Sequence, residues 1–177
     1  MRHTFHSEQW LPYPVELVFD FFANPENLPS LMPPWQKARI EDAAFAPPPP
    51  RRSTDPPHRG IAAGVGTRMT LTFRPFPFSP VRVPWEAEIT DFIWNHRFCD
   101  RQVRGPFAYW NHCHRVRSEH RADGPGTLLS DDIEYEMPFG KFGELAQHLV
   151  LTRQLRRSFA YRHASASDLL SRISAGN

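Results

Sequence analysis

The stretch Pro14-Val15-Glu16-Leu17-Val18-Phe19-Asp20-Phe21-Phe22 decides how this chain folds. Its apolar residues recur at the i, i+3, i+4 and i+7 positions of an amphipathic helix, namely Val15, Val18, Phe19 and Phe22. Pro14 suits the first turn of a helix. The following Asn24-Pro25 is expected to end it, because a residue before proline disfavours the helical conformation. One isolated helix is therefore predicted near the beginning of the chain.

The segments next to this helix are shorter. Residues 2–11 mix apolar and polar positions and predict a first strand, which the prolines at 12 and 14 would end. A second, short helix is expected to begin at Pro25 and to stop at Pro33-Pro34. Residues 35–45 predict a weakly patterned strand. A strand, a helix and a short helix thus precede the main strand region.

Apolar and polar residues alternate from Gly64 onward, as in consecutive antiparallel strands. The predicted strands cover residues 65–73, 80–92, 97–103, 108–120 and 127–137. A long helix is expected at 142–163 and must bury its apolar stripe against one sheet face. The element order therefore predicts an α+β fold with a twisted antiparallel sheet of about six to seven strands around the C-terminal helix. The two early helices would close one end.

Length and composition indicate a single domain. The chain has 177 residues, of which 40% are hydrophobic and 23% are charged, with a formal net charge of +2. A charge so close to zero provides no argument for nucleic-acid binding. We expect one domain at 1–163, with an exposed Pro-rich loop at 46–57 and a polar tail at 164–177 that can fray.

The location of the protein is predicted from what the sequence lacks. No apolar run reaches the roughly 18 residues that a membrane span needs, so stable membrane insertion is not expected. The first residues lack the apolar core of a signal peptide, and we expect a cytoplasmic protein. Cys99 and Cys113 could face each other across a hairpin centred on Pro106. In the cytosol both would remain thiols.

Several phrases of the sequence resemble the START-like superfamily, which includes polyketide cyclases, aromatases and coenzyme-Q-binding proteins. The resemblance covers about residues 3–163 and is closest to a bacterial branch of single-domain members. The phrases are Trp10-Leu11-Pro12, Pro14–Phe19, Asn24–Leu28, Asp100-Arg101-Gln102, Gly105-Pro106-Phe107, Trp110–His114, Tyr135–Gly140 and Phe159–His163. The resemblance implies a helix-grip fold and an internal cavity for an apolar small molecule. It also implies a functional association with an oxidoreductase, because a similar domain sometimes precedes a nucleotide-sugar-epimerase-like one.

Strand alternation predicts which side chains face the interior. On 108–120 the less charged face carries Trp110, His112 and His114. On 127–137 the acidic face belongs to solvent, which leaves Asp131 and Tyr135 inside. We expect these two histidines, Asp131 and Tyr135 to join one polar network, with Asp100 and Gln102 on the preceding strand close by.

This network has two interpretations. Buried polar groups normally satisfy one another, so the network can simply hold the sheet together or orient a ligand, which is the interpretation we favour. A histidine beside a carboxylate in an apolar cavity can also serve as an acid/base pair. In that alternative, His112 or His114 works with Asp131 in a cyclase or dehydratase.

A third alternative is a metal site. The spacing of Gly105, His112, His114, Glu119 and Gly126 is close to the first metal motif of the cupins. The spacing after Gly105 is one residue too long, and no second histidine motif follows. Glu119 also has the wrong parity on a regular strand and would face away from both histidines. We therefore predict no metal and no cofactor.

The leading hypothesis is binding of a lipid, quinone or polyketide-like ring in a cavity on the order of several hundred Å³. It would lie between the terminal helix and the faces carrying Trp85 and Trp110. A module that serves a partner protein, with this space filled solid, is a further alternative; the oligomeric state is left open. The candidate ligand-binding residues are Phe19, Phe22, Met69, Leu71, Trp85, Ile89, Asp100, Gln102, Trp110, His112, His114, Ile133, Tyr135, His148, Leu155 and Phe159.

Overall fold

The computed structural model describes residues 1–51, 60–138, 140 and 150–175. Its first part contains strand β1 (Arg2–Leu11), helix α1 (Val15–Ala23) and two 3-10 helices (Pro25–Leu31 and Pro34–Gln36). Six strands follow: β2 (Arg39–Ala44), β3 (Arg68–Phe73), β4 (Val83–Ile93), β5 (Arg97–Arg104), β6 (Tyr109–Arg121) and β7 (Gly124–Glu136). The last described element is helix α2 (Thr152–Ala175).

The seven strands form one antiparallel sheet in the order β1-β7-β6-β5-β4-β3-β2. Successive strands from β2 to β7 are neighbours, and β1 returns to pair with β7 along its whole length. The predicted sheet with one long C-terminal helix and two short helices after the first strand is therefore confirmed. The face prediction is confirmed as well, because Trp110, His112, His114 and Asp131 are all buried.

Helix α1 contributes five buried residues to one of the hydrophobic core clusters. Val18 and Phe19 are fully buried. The ring of Phe19 contacts those of Phe92 and Phe98 edge-on, with centroids 5.3 and 5.9 Å apart. The periodic apolar residues of α1 thus anchor the helix against β4 and β5 at one end of the sheet.

Helix α2 extends further than the sequence predicted. Residues 164–175 are helical and do not form a separate frayed tail. Ala166 and Leu170 are fully buried and pack in the same core as α1. These two apolar side chains hold about three further helical turns against the core, which corrects the predicted helix end at 163. Residues 142–149 of the predicted helix lie outside the described residues.

The Pro-rich loop is only partly described, since residues 52–57 of it lie outside the described ranges. Its first part contacts the body of the protein. The indole Nε1 of Trp94 donates a 2.6 Å hydrogen bond to the Pro49 carbonyl. The Arg51 guanidinium lies 4.4 Å from the Trp94 ring and 3.9 Å from an Asp20 oxygen, and its side chain is only 14% exposed. The predicted exposure of Arg51 is therefore wrong, because a cation–π contact with Trp94 and an ion pair with Asp20 hold its side chain against the protein.

Cys99 and Cys113 are directly opposite in the β5–β6 register and form a disulfide. Their predicted juxtaposition is correct, whereas the prediction of two free thiols is wrong. Antiparallel pairing brings the two side chains to the same face at the same level, which permits the bond. Among the described helices, none is long and apolar enough to cross a membrane.

Candidate functional site

The polar site is assembled by three neighbouring strands. Asp100 on β5 pairs with His112 on β6, and His114 on β6 pairs with Asp131 on β7. Because alternate residues of a strand share a face, both histidines point to the same side of the sheet, toward α2. Asp131 is fully buried, and the two histidines are nearly so.

One oxygen of Asp131 contacts both histidines. Nε2 of His112 forms a 3.0 Å hydrogen bond with Asp131 Oδ1. Nδ1 of His114 lies 2.6 Å from the same oxygen, but its ring is not aligned for a hydrogen bond. On the other side, His112 Nδ1 is 3.8 Å from Oδ2 of Asp100. Four side chains thus form one connected group, and the two imidazole centroids are 4.0 Å apart.

Burial and mutual contacts perturb the proton affinities in this group. Burial lowers the pKa of His114 to about 3, with His112 acting in the same direction and Asp131 opposing it only in part. Burial alone would raise the pKa of Asp131, but His114, Arg162 and His112 hold it well below its ordinary value. Burial raises the pKa of Asp100. Near neutral pH, the group therefore contains an ionised Asp131 and a neutral His114.

These shifts predict that stability falls as the pH falls from 7 to 4. The folded-state pKa of His114 is lowered, so the unfolded chain takes up a proton below about pH 6.5 that the folded chain does not. A shift to about 3 corresponds to a loss of about 3 kcal/mol in unfolding free energy over this range. The raised pKa of Asp100 opposes part of this loss. The lowered pKa of Asp131 adds to it only when the pH falls below about 4.

Urea unfolding at several pH values would measure this dependence. A His114→Gln variant is expected to show a flatter profile because it lacks the titrating ring. Replacement of the exposed His96 by Gln should leave the profile unchanged. An equally steep profile in His114→Gln and in the wild type would contradict the assignment.

Two adjoining cavities lie on the inner face of the sheet: the first under α1 and the 3-10 helix Pro25–Leu31, the second under α2. The first measures about 130 Å³ and the second about 200 Å³. The larger one is walled by aromatic rings, among which Trp85 and Trp110 meet edge-on with centroids 4.9 Å apart. Each cavity is smaller than the several hundred Å³ predicted from the sequence. They share five lining residues, which are Leu28, Leu31, Leu71, His112 and Arg162.

Most of the predicted ligand-binding residues line one of these cavities. The first cavity is lined by Phe22, Met69, Leu71, Ile89, Asp100, His112 and His114. The second is lined by Leu71, Trp85, Trp110, His112, Leu155 and Phe159. The neutral, buried imidazole of His114 lines the first cavity only, beside His112, which lines both.

Four predicted ligand-binding residues lie elsewhere, and one is not described. Phe19 on α1 packs in the hydrophobic core. The Gln102 amide bonds both backbone groups of Phe107 and so shapes the β5–β6 turn. Ile133 and Tyr135 are buried behind the second cavity without lining either one among the described residues. The membership of Tyr135 in the polar network stays a prediction, and His148 lies outside the described residues.

Arg162 is the main site residue that the sequence did not single out. It lines both cavities, and its guanidinium carbon lies 5.2 Å from the Phe22 ring centroid and 5.8 Å from that of Phe159. Its Nε atom is buried and has no hydrogen-bond partner among the described residues. Helical spacing from Phe159 could have indicated its inward position, since i and i+3 share a face.

Comparisons with known structures support the fold. The Zhui aromatase/cyclase from Streptomyces sp. R1128 superimposes with a TM-score of 0.66 at 12% identity, covering 97% of this chain and 95% of that one. Norcoclaurine synthase from Thalictrum flavum, solved with a transition-state analogue, gives a TM-score of 0.62 at 16% identity, covering 98% and 97%. A protein from Thermus thermophilus gives 0.64 at 17% identity, covering 97% and 99%. At such identities the likeness shows a common fold.

Sequence comparison identifies the family. No curated protein matches the chain. A family model does match, over residues 11–158, which are most of the chain and include α1, the whole site on β5 to β7 and the first turns of α2. The START-like resemblance of the sequence is thereby confirmed. The chain belongs to the family described as polyketide cyclase / dehydrase and lipid transport.

Proposed function

We propose that the protein binds a small molecule with an apolar or aromatic body and one anionic end. The apolar body would occupy the second cavity, against Trp85 and Trp110. The anionic end would lie at the wall that both cavities share, beside Arg162. Fatty acids and carboxylated or enolisable polyketide-like rings have this construction.

The unpaired Nε of the Arg162 guanidinium carries this proposal. A buried charge is costly unless an opposite charge or hydrogen-bond acceptors accompany it. The charge of Asp131 acts on the Arg162 guanidinium, but its buried Nε has no hydrogen-bond acceptor among the described residues, and the faces of Phe22 and Phe159 flank the group. A carboxylate or enolate would supply the missing acceptor, and a carboxylate could do so in a bidentate arrangement.

Native mass spectrometry of freshly purified protein, followed by thermal-shift titration, would test the proposal. Decanoate is expected to raise the melting temperature by mass action, and decanol to do so much less. Arg162→Gln should weaken decanoate binding about tenfold or more, since hydrogen bonds to charged groups contribute about 1.5–3 kcal/mol. The exposed Arg156→Gln on the same helix is the matched control.

Two results would count against the proposal in different ways. Equal affinity for decanoate and decanol, unchanged in Arg162→Gln, would contradict the proposed anionic end of the ligand. If no fatty acid, quinone or aromatic ring shifts the melting temperature, the proposal of ligand binding itself would be wrong. The predicted oxidoreductase association and cytoplasmic location are separate from this test and stay predictions.

The second candidate function is acid/base catalysis on such a ring. The observation in its favour is a neutral His114 at the wall of the first cavity, 2.6 Å from an ionised Asp131. A His114 pKa of about 3 makes the ring a weak base, however, and efficient general bases have pKa values near the working pH. If His114 is catalytic, His114→Ala would abolish turnover of a ring-forming substrate and leave binding largely intact.

A further inference from the structure

We propose that Asp100, His112 and His114 together bind one divalent transition-metal ion at the wall of the first cavity. This inference goes beyond the proposed binding of an apolar ligand and does not depend on it. It replaces our sequence-based expectation of no metal, which had considered Glu119 as the third ligand beside the two histidines.

The three side chains have a donor set and a separation that suit one ion. One ligand atom from each residue lies within 4.8 Å of the other two. Nδ1 of His112 is 3.8 Å from Asp100 Oδ2. Metal–ligand bonds of about 2.0–2.2 Å allow two ligand atoms on one ion to be separated by up to roughly 4.2 Å. Side-chain shifts of about 1 Å would bring all three atoms into one coordination sphere at these bond lengths.

Asp131 selects the ring nitrogens that face the ion. Its Oδ1 accepts a hydrogen bond from Nε2 of His112 and lies 2.6 Å from Nδ1 of His114. The nitrogens left for a metal are then Nδ1 of His112 and Nε2 of His114. A carboxylate behind a metal-binding histidine is the usual partner that fixes its tautomer and orientation. A single buried carboxylate performs this role here for both rings.

Two buried atoms beside the site lack a hydrogen bond among the described residues, namely Nδ1 of His114 and Oδ2 of Asp131. Such atoms are rare in folded proteins and call for an explanation. An ion on Nε2 of His114 would require the proton on Nδ1 and would turn the ring so that this proton points at Asp131. Metal binding would thus give Nδ1 of His114 its missing partner.

Glu119, the third ligand considered from the sequence, is engaged elsewhere. It forms ion pairs with Arg117 at 2.8 Å and with Arg121 at 2.7 Å on the far side of β6. Asp100 takes its place because β5 lies next to β6 and the register sets Asp100 opposite His112. Strand pairing, and not a local motif, creates this set of ligands.

The chemistry of the ligands restricts the ion. Two imidazoles and one carboxylate suit zinc, iron(II), cobalt(II) and similar ions, whereas magnesium and calcium prefer oxygen ligands. Asp100 and Asp131 together offset the ion's two positive charges. All three proposed ligands line the first cavity, so the remaining coordination positions would face that cavity. An open position of this kind is the mark of a site that can also bind a small molecule.

Titration of untagged, chelator-treated protein would test the site without any organic ligand. Zinc binding by calorimetry and cobalt absorption bands should both indicate one ion per chain. Asp100→Asn and His114→Ala are expected to abolish this binding. Asp131→Asn should weaken it about 10- to 100-fold, as for other residues that support a metal-binding histidine. His96→Ala, which removes an exposed imidazole, is the matched control and should bind like the wild type.

Circular dichroism of every variant would confirm folding before the titration. Should His114→Ala fail to fold, the isosteric Asp100→Asn at a half-buried position decides the question. Wild-type protein that binds zinc and cobalt no more tightly than Asp100→Asn would overturn the proposal. Failure of the zinc titration alongside a positive decanoate shift would overturn the metal site alone and leave the proposed function standing.

Discussion

Replacing Leu170 by Asp is expected to abolish cooperative folding. Leu170 is fully buried in the core that α1, α2 and the sheet share. The substitution removes the apolar contacts of one leucine and places an uncompensated carboxylate in their position, at a cost of several kcal/mol. Domains of this size are stable by only about 5–15 kcal/mol, so such a loss consumes most of the margin. Thermal unfolding followed by circular dichroism would measure it.

Ile173→Asp provides the control, because Ile173 lies one turn further along α2 and is 39% exposed. Its melting temperature should remain close to that of the wild type. A Leu170→Asp variant that also melts like the wild type would mean that residues 164–175 contribute nothing to the core. The frayed tail predicted from the sequence would then be correct after all.

Replacing Ala87 by Phe is expected to prevent the anionic end of the ligand from reaching Arg162 at the wall that the two cavities share. Ala87 on β4 lines the first cavity, which measures only about 130 Å³. A phenyl ring added at its wall would occupy most of this space and lie close to the shared wall with Arg162. The melting-temperature shift produced by decanoate should disappear, while the fold is retained, since the cavity offers room that a close-packed core would not.

Ala160→Phe is the matched control. Ala160 is exposed on α2, so the substitution adds the same ring outside the cavities. It should bind decanoate like the wild type. If Ala87→Phe binds decanoate normally, the anionic end does not depend on the first-cavity side of Arg162, which would contradict its proposed position. If Ala87→Phe instead unfolds, the space is already filled, which would favour the alternative of a solid module that serves a partner protein.

The two expectations for the site are connected through its polar wall. Arg162 attracts an anion, and the proposed metal position faces the same cavity. A carboxylate or enolate that meets the guanidinium lies within the cavity where an ion bound by Asp100 and His114 would have open positions. Decanoate titrations with and without zinc would therefore show whether the two sites interact, since coupling must appear equally in both binding constants.

The inward faces of the site were predictable because strand alternation is a local rule. A two-residue period assigned Trp110, His112 and His114 to the interior, and the acidic opposite face assigned Asp131 there too. The structure buries all four. The face with more charged residues belongs to solvent whichever strand lies next to it, so the assignment needed no knowledge of the neighbouring strands.

Errors occurred where a side chain's role depends on what lies next to it. Phe19 has the right spacing for an inward helix face, but it packs in the hydrophobic core. Among the described residues, it lines neither of the two cavities. The position of Gln102 on its strand predicts an inward side chain, but its amide hydrogen-bonds the backbone of Phe107 in the turn. The exposure of Arg51 was misjudged in the same way, since Trp94 and Asp20 are distant in sequence.

The sequence by itself determined the order of elements, the antiparallel sheet, the buried faces and the family, because periodicity, prolines and local phrases carry that information. Only the tertiary structure decided which polar groups meet. The register of β5 on β6 placed Asp100 opposite His112 and Cys99 opposite Cys113, and α2 brought Arg162 to the cavities. Pairing register and helix docking are set by the packing of the whole molecule, so they cannot be read from one segment at a time.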